Sequence, residues 1–125
     1  MYIITPEDEK LLATLSTYQQ AILRILAEVP KGKVTTYSDL AKELAKRDPK
    51  WSPRASRAVG TTMKNNVCGP RIPCHRVIKS DGGIGNFRGG EKGAVNVKIR
   101  MLIDEGVSVT NSKVDLKCFR HHFSD

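Results

Sequence analysis

A chain of 125 residues has room for one modest core and too little for two ordinary domains. Its hydrophobic share of 39% excludes disorder as the default, and no apolar run approaches the roughly 20 residues that cross a bilayer. The net charge of +8 is spread from Lys31 to Arg120, so it implies a folded surface that attracts polyanions, nucleic acid first among them.

Residues 1–15 are weakly patterned and read as an N-terminal extension with an irregular path. "MYIITPEDEK" lacks the basic start and apolar stretch of a signal peptide, so the expected location is intracellular, cytoplasmic or nuclear. Residues 16–33 predict a helix. Ser16 or Thr17 caps it, Ala21, Ile22, Ile25 and Leu26 share one face, and Pro30 with Gly32 ends it. Val34 and Thr35 read as extended, and Thr36 or Ser38 then caps a helix carrying Leu40, Ala41 and Leu44. A Pro-rich loop leads into "ASRAVGTTMKNN", a short helix with Ala55, Val59 and Met63 at helical spacing. Two short helices joined by a turn, the second opening with small and basic residues, form the pattern of a helix-turn-helix.

Val77 and Ile78 read as extended, followed by a turn at Asp81-Gly82-Gly83 and a glycine-rich loop. Residues 94–107 predict a last helix with Ala94, Val97, Met101 and Leu102 inward and Glu105 on the same side. The polar stretch from Val107 onward is expected to be loose in part. The fold class is therefore mainly α with a short β element, a single winged helix-turn-helix-like domain.

Three cysteines, Cys68, Cys74 and Cys118, do not suggest a disulfide framework, and in a reducing compartment each is a free thiol. Cys74 stands between Pro73 and His75. A thiol needs a base to become the nucleophilic thiolate, and an imidazole oriented by a carboxylate is the usual base. Neighbouring side chains in extended backbone point to opposite faces, so a relay from Cys74 to His75 needs a turn there or a bridging water. Pro73 makes a turn reasonable, and Glu105 is the best carboxylate. Free cysteines are more often buried and inert. What favours reactivity here is the company of Asn66, Pro73, Gly83, Gly85 and Gly89 in one region.

"PCHRV" resembles the active-site signature of the O6-alkylguanine-DNA alkyltransferases, the methylated-DNA–protein-cysteine methyltransferases. "VPKGKVTTYSDLA", "RAVGTTMKNN", "IGNFRGG" and "MLIDEG" resemble further blocks of that family, in family order, from Val29 to Gly106. The resemblance implies that Cys74 accepts the alkyl group from O6 of guanine, His75 draws off its proton through a water, and Glu105 holds His75. It implies that Asn66 ties the recognition helix to the active-site segment, and that Arg57 fills the space left by the flipped guanine. Tyr37 would press on the adjacent phosphate and help protonate the departing guanine. Ala55, Ser56, Ala58 and Gly60 would let the helix approach the minor groove closely. The backbone of Val77 and the loop Ile84, Gly85, Asn86, Phe87 and Arg88 would line the base pocket, which a long Arg88 would narrow or gate.

The implied partner is double-stranded DNA containing O6-alkylguanine, bound by a monomer with no cofactor, no metal and no membrane. On this reading residues 1–15 are an extension, 16–108 the catalytic and DNA-binding domain, and 109–125 a C-terminal tail. The chain would then match the catalytic part of longer family members. "CFRHH", with Cys118, His121 and His122, reads as solvated tail rather than a zinc site, which would need four ligands. Alkyltransferase-like proteins, which lack the cysteine and flag lesions without repairing them, are the main alternative. A cysteine hydrolase is a weaker one, since it leaves the helix-turn-helix unexplained.

Overall fold

The computed structural model describes residues 1–85 and 92–123. Residues expected to be an irregular lead-in instead form α1 (Pro6–Leu12). The cause is local and strong. Thr5 Oγ1 accepts from the Asp8 amide at 3.1 Å, and the Asp8 carboxylate accepts back from the Thr5 amide at 3.2 Å. This reciprocal cap, with Pro6 at the first helical position, starts a helix that an apolar pattern alone would not have announced. Leu12 then anchors it, fully buried, in the main core.

Ser16 caps α2 (Thr17–Leu26), which buries Ile22, Leu23, Ile25 and Leu26. After β1 (Thr35–Thr36), Thr36 caps α3 (Tyr37–Arg47) by accepting from the Asp39 amide at 3.0 Å. Leu40, Ala41 and Leu44 face inward as expected. Residues 48–55 connect to α4 (Ser56–Lys64), which packs on α3 and α2 and buries Val59 and Thr62, leaving Met63 half-buried. α3 and α4 are the helix-turn-helix-like pair. Leu12, Ile22, Leu26, Val29, Leu40, Val59 and Ile72 share one apolar cluster beneath them. Each such side chain, fully buried, stabilises the fold by about 1.5–3 kcal/mol.

β2 (Val77–Ile78) lies parallel to β1, pairing Thr35 with Val77 and Thr36 with Ile78. Successive strand residues face opposite sides. Val77 therefore joins the first cluster, while Ile78 joins a second with Val34, Ile84, Leu102, Val107 and Val114. A ribbon two residues long thus separates two cores and sits directly after the Cys74 segment.

α5 (Ala94–Asp104) corrects one expectation: Val97 is 39% exposed and Lys98 is buried in its stead. The inward stripe runs Ala94, Lys98, Leu102, a spacing of four that turns Val97 outward. The C-terminal stretch is likewise ordered rather than loose. β3 (Val109–Thr110) and β4 (Lys113–Val114) form an antiparallel hairpin, and α6 (Leu116–Phe119) follows. The Val34 amide then donates to the Phe119 carbonyl at 2.8 Å, and the His121 amide to the Val34 carbonyl at 2.7 Å. Arg120 Nε reaches Asp39 on α3 at 2.8 Å. Cys118 bonds Asp115, and His121 packs edge-on against Phe123. Among the described residues no group of three His, Cys, Asp or Glu could hold a metal, and no helix is long and apolar enough to cross a membrane.

Candidate active site

Pro73 ends the approach to a single 3₁₀ turn, Cys74–Arg76. The Cys74 amide donates back to Ile72 at 2.9 Å and the Arg76 amide to Pro73 at 2.9 Å. This is the turn that an adjacent Cys-His pair requires. It leaves the thiol half-buried while His75 retreats to 3% exposure. Two fasteners hold the segment leading into it. Asn66, just beyond α4, donates to the Ile72 carbonyl at 2.8 Å and accepts from the Cys68 amide at 3.0 Å. Arg71 donates to the buried Asp8 carboxylate through Nε at 3.1 Å and Nη2 at 2.9 Å, where the Tyr2 hydroxyl also bonds. The Tyr2 hydrogen bond leads in holding the Asp8 carboxyl well below the usual range, against the opposing effect of burial.

On one side of Cys74 the charges are paired. His75 Nε2 lies 2.8 Å from Glu105 Oε2. Arg76 grips the same carboxylate with Nε and Nη2, both at 2.8 Å, and spends Nη1 on the Val29 carbonyl. Arg76 was not singled out from sequence. Burial would raise the Glu105 carboxyl, but the Arg76 and His75 contacts outweigh it and hold the group below its ordinary value. Burial also pushes His75 down, opposed by Glu105, so the imidazole is neutral at pH 7. With Nε2–H donating to Glu105, Nδ1 is left as the acceptor. Nδ1 is buried and meets no hydrogen-bond partner among the described residues.

On the other side stands a cation that sequence reasoning missed. Lys98 is fully buried, donates to the Val77 carbonyl at 2.6 Å, and sits 5.9 Å from the centroid of the Tyr37 ring. Burial draws its ammonium down to about 8, and the negative charge available at Cys74 acts the other way. Burial also raises the Tyr37 hydroxyl, with the Cys74 charge adding to it.

A cleft of about 950 Å³ opens over this arrangement, lined by Cys74, Tyr37, residues of α4, and the 83–85 segment. A family model described as the 6-O-methylguanine DNA methyltransferase DNA-binding domain matches residues 17–107, most of the chain. The chain belongs to this alkylguanine-DNA alkyltransferase family.

The rat methylated-DNA–protein-cysteine methyltransferase is 39% identical over 89 residues, which are 71% of this chain and 38% of the rat protein. A bifunctional methyltransferase/endonuclease of Picrophilus torridus is 37% identical over 101 residues, 81% of this chain and 30% of that protein. The chain thus spans about a third of those relatives. By contrast, the DNA base-flipping protein of Escherichia coli is 34% identical over 119 residues, 94% of this chain and 84% of its own length. Among solved structures, S. pombe Atl1 in complex with damaged DNA containing O6-carboxymethylguanine superposes with a TM-score of 0.73 at 25% identity. The superposition covers 86% of this chain and 97% of Atl1.

In this chain the cleft brings together Cys74, Tyr37, Ser56, Arg57, Gly60, Ile84 and Gly85. His75 and Glu105 stand behind Cys74 rather than in the lining, and Asn66 works beneath it. Ala55 and Ala58 lie at the start of α4 outside the lining, and Val77 is fully buried with its carbonyl taken by Lys98. Asn86, Phe87 and Arg88 lie outside the described residues. Met63, Lys64, Lys79 and Ser112 line the cleft without having been expected there.

Proposed function

We propose that this chain reverses DNA damage by taking the alkyl group from O6 of guanine onto Cys74, once and irreversibly. The observation that carries the reading is the half-buried thiol on the wall of the cleft, with a neutral, carboxylate-bound imidazole behind it and a buried ammonium beside it. The thiol proton passes to His75 Nδ1, directly or through a water, and Lys98 favours the resulting thiolate. Sulfur attacks the alkyl carbon in line, the S–C bond forms, and the C–O6 bond breaks. Its electron pair stays on the purine oxygen, and the Tyr37 hydroxyl, on a residue that lines the cleft, helps to protonate the departing guanine. The product thioether has no easy route back to the thiol.

A base inside a duplex cannot meet these demands, so the guanine must be everted, at a cost of a few kcal/mol. Arg57 lines the cleft from the first turn of α4 and would fill the vacated stack. A Cβ added to Gly60 would meet nothing within 4 Å, so no internal packing explains glycine there. A close minor-groove backbone does. The likeness to a methylated-DNA–protein-cysteine methyltransferase and to a protein bound to damaged DNA supports the reading.

A second reading, lesion binding without transfer, is favoured by one observation: coverage of the base-flipping protein and of Atl1 is far more complete than that of the methyltransferases. Incubation with a duplex bearing O6-methylguanine separates the two. Transfer adds one methyl mass to the Cys74 peptide, and Cys74→Ala abolishes the gain while DNA binding survives. Tight lesion binding with no mass change would select the second reading.

A further inference from the structure

The C-terminal hairpin lies beyond the stretch matched by the family model, yet it reaches the cleft. Thr110 pairs with Lys113, so the loop between them is two residues long, Asn111 and Ser112. Their φ values are +53° and +58°. Two left-handed residues in a two-residue loop are the type I′ turn, whose second position glycine fills at least steric cost. Serine occupies it here, and Ser112 shares the cleft wall with Cys74, Tyr37 and Arg57.

The tip is also fixed in place. The Ser112 carbonyl accepts from the Ile84 amide at 3.2 Å, and the Val114 amide donates to Gly82 at 2.9 Å. Gly83 bridges to Lys113. The segment that carries Ile84 and Gly85 into the cleft is therefore the same one that seats the hairpin. A side chain retained at a strained position, on a rigid seat, facing the reactive cavity, is placed to exclude volume there.

We propose that the Asn111–Ser112 tip is a specificity wall: Ser112 limits the size of the O6 substituent that the cleft accepts. The inference rests on the reading that an everted alkylguanine enters this cleft. It makes the C-terminal segment part of the substrate pocket rather than a tail. Rigid walls discriminate steeply, since one misfitted methylene changes selectivity by roughly 10–200-fold.

The test compares Ser112→Phe, Ser112→Gly and the parent on two duplexes of identical sequence, one carrying O6-methylguanine and one O6-benzylguanine. Ser112→Phe is expected to lower the benzyl-to-methyl rate ratio by about tenfold or more. Ser112→Gly is expected to raise that ratio, with a melting temperature equal to or above the parent's. A ratio unchanged in both variants, while methyl transfer proceeds, overturns the inference. Should Ser112→Phe fail to show a cooperative melt, Ser112→Gly decides alone, because its backbone suits the left-handed turn best. A parent that binds both duplexes but transfers neither alkyl group would sink the transfer reading only. The same ratio, taken from dissociation constants, then decides the role of Ser112. No binding to either duplex overturns both.

Discussion

The two flanks of Cys74 solve the problem of buried charge in opposite ways. Behind the thiol, Glu105 is surrounded: His75 and Arg76 both take its oxygens, and Arg76 is steadied further by Val29. Beside it, Lys98 has been taken fully out of water against a carbonyl and an aromatic ring, and the charge available at the thiol acts on it. The paired flank is built for geometry, because its charges satisfy one another and fix the imidazole. The lysine flank is built for electrostatics, because a desolvated cation acts strongly on whatever charge appears nearby. A buried cation of this kind costs stability, and what stands next to Lys98 is the Cys74 thiol.

Breaking the paired flank should have the larger effect. Glu105→Gln removes the orienter of His75 and leaves the Arg76 guanidinium without its carboxylate. Single-turnover transfer is expected to slow by about 10²–10⁴-fold, the range of general acid–base catalysis, with a lowered melting temperature. A variant that transfers at the parental rate would show that His75 needs no carboxylate. Lys98→Met tests the other flank. The transfer rate at pH 7 should fall about tenfold, the scale on which one neighbouring charge biases a titration, while the melting temperature does not fall. A collapse of the fold would instead make Lys98 a structural residue.

A pH profile sharpens the contrast because the two flanks titrate at opposite ends. His75 is depressed below its ordinary 6.5, so the unfolded chain takes up that proton first. Its share of stability is therefore lost as the pH falls below about 6.5, and the neutral base itself is lost lower still, as the pH passes the depressed folded value. Lys98 titrates at about 8 in the fold against 10.5 unfolded, so its cation disappears above pH 8, whereas stability rises from 8 towards 10.5. Transfer is expected to fall at both ends, and the alkaline fall near 8 should vanish in Lys98→Met. The smallest effect belongs to Asp8→Asn, which loosens the Arg71 fastener before Cys74. It should lower the melting temperature by several degrees and leave the transfer rate nearly unchanged. A large rate loss would move α1 into the catalytic apparatus.

Much of this was legible in the residues. Helices announced by caps and periodic apolar positions, such as Ser16 before α2 and Thr36 before α3, stand where the pattern puts them. Helical spacing marked Glu105 as the best carboxylate, and the family resemblance implied that it holds His75, as the contact between them has it. Other features carried a signal that was outweighed. Thr5, Pro6 and Asp8 spell a helix start, yet the seven residues that follow lack a clear apolar stripe. Asn111-Ser112 between alternating residues spells a hairpin, but the polar composition around it argued for a loose tail. Lys98 sits at the right spacing for the core, but its residue type gives no such signal, because lysines are rarely buried. The extended character of Val34-Thr35 and Val77-Ile78 was legible, but their pairing was not, because backbone pairing only two residues long is decided by what packs on either side.

Gly82 shows how a position outside the cleft lining can be as constrained as any within it. Its φ is +89°, and any β-carbon there would come within 2.6 Å of the Val114 carbonyl oxygen, a main-chain atom that cannot swing aside. Every missense codon change at this glycine introduces such a carbon. In a saturation-mutagenesis survey of alkylation resistance, Gly82 should therefore be as unforgiving as the cysteine, although it never meets the lesion.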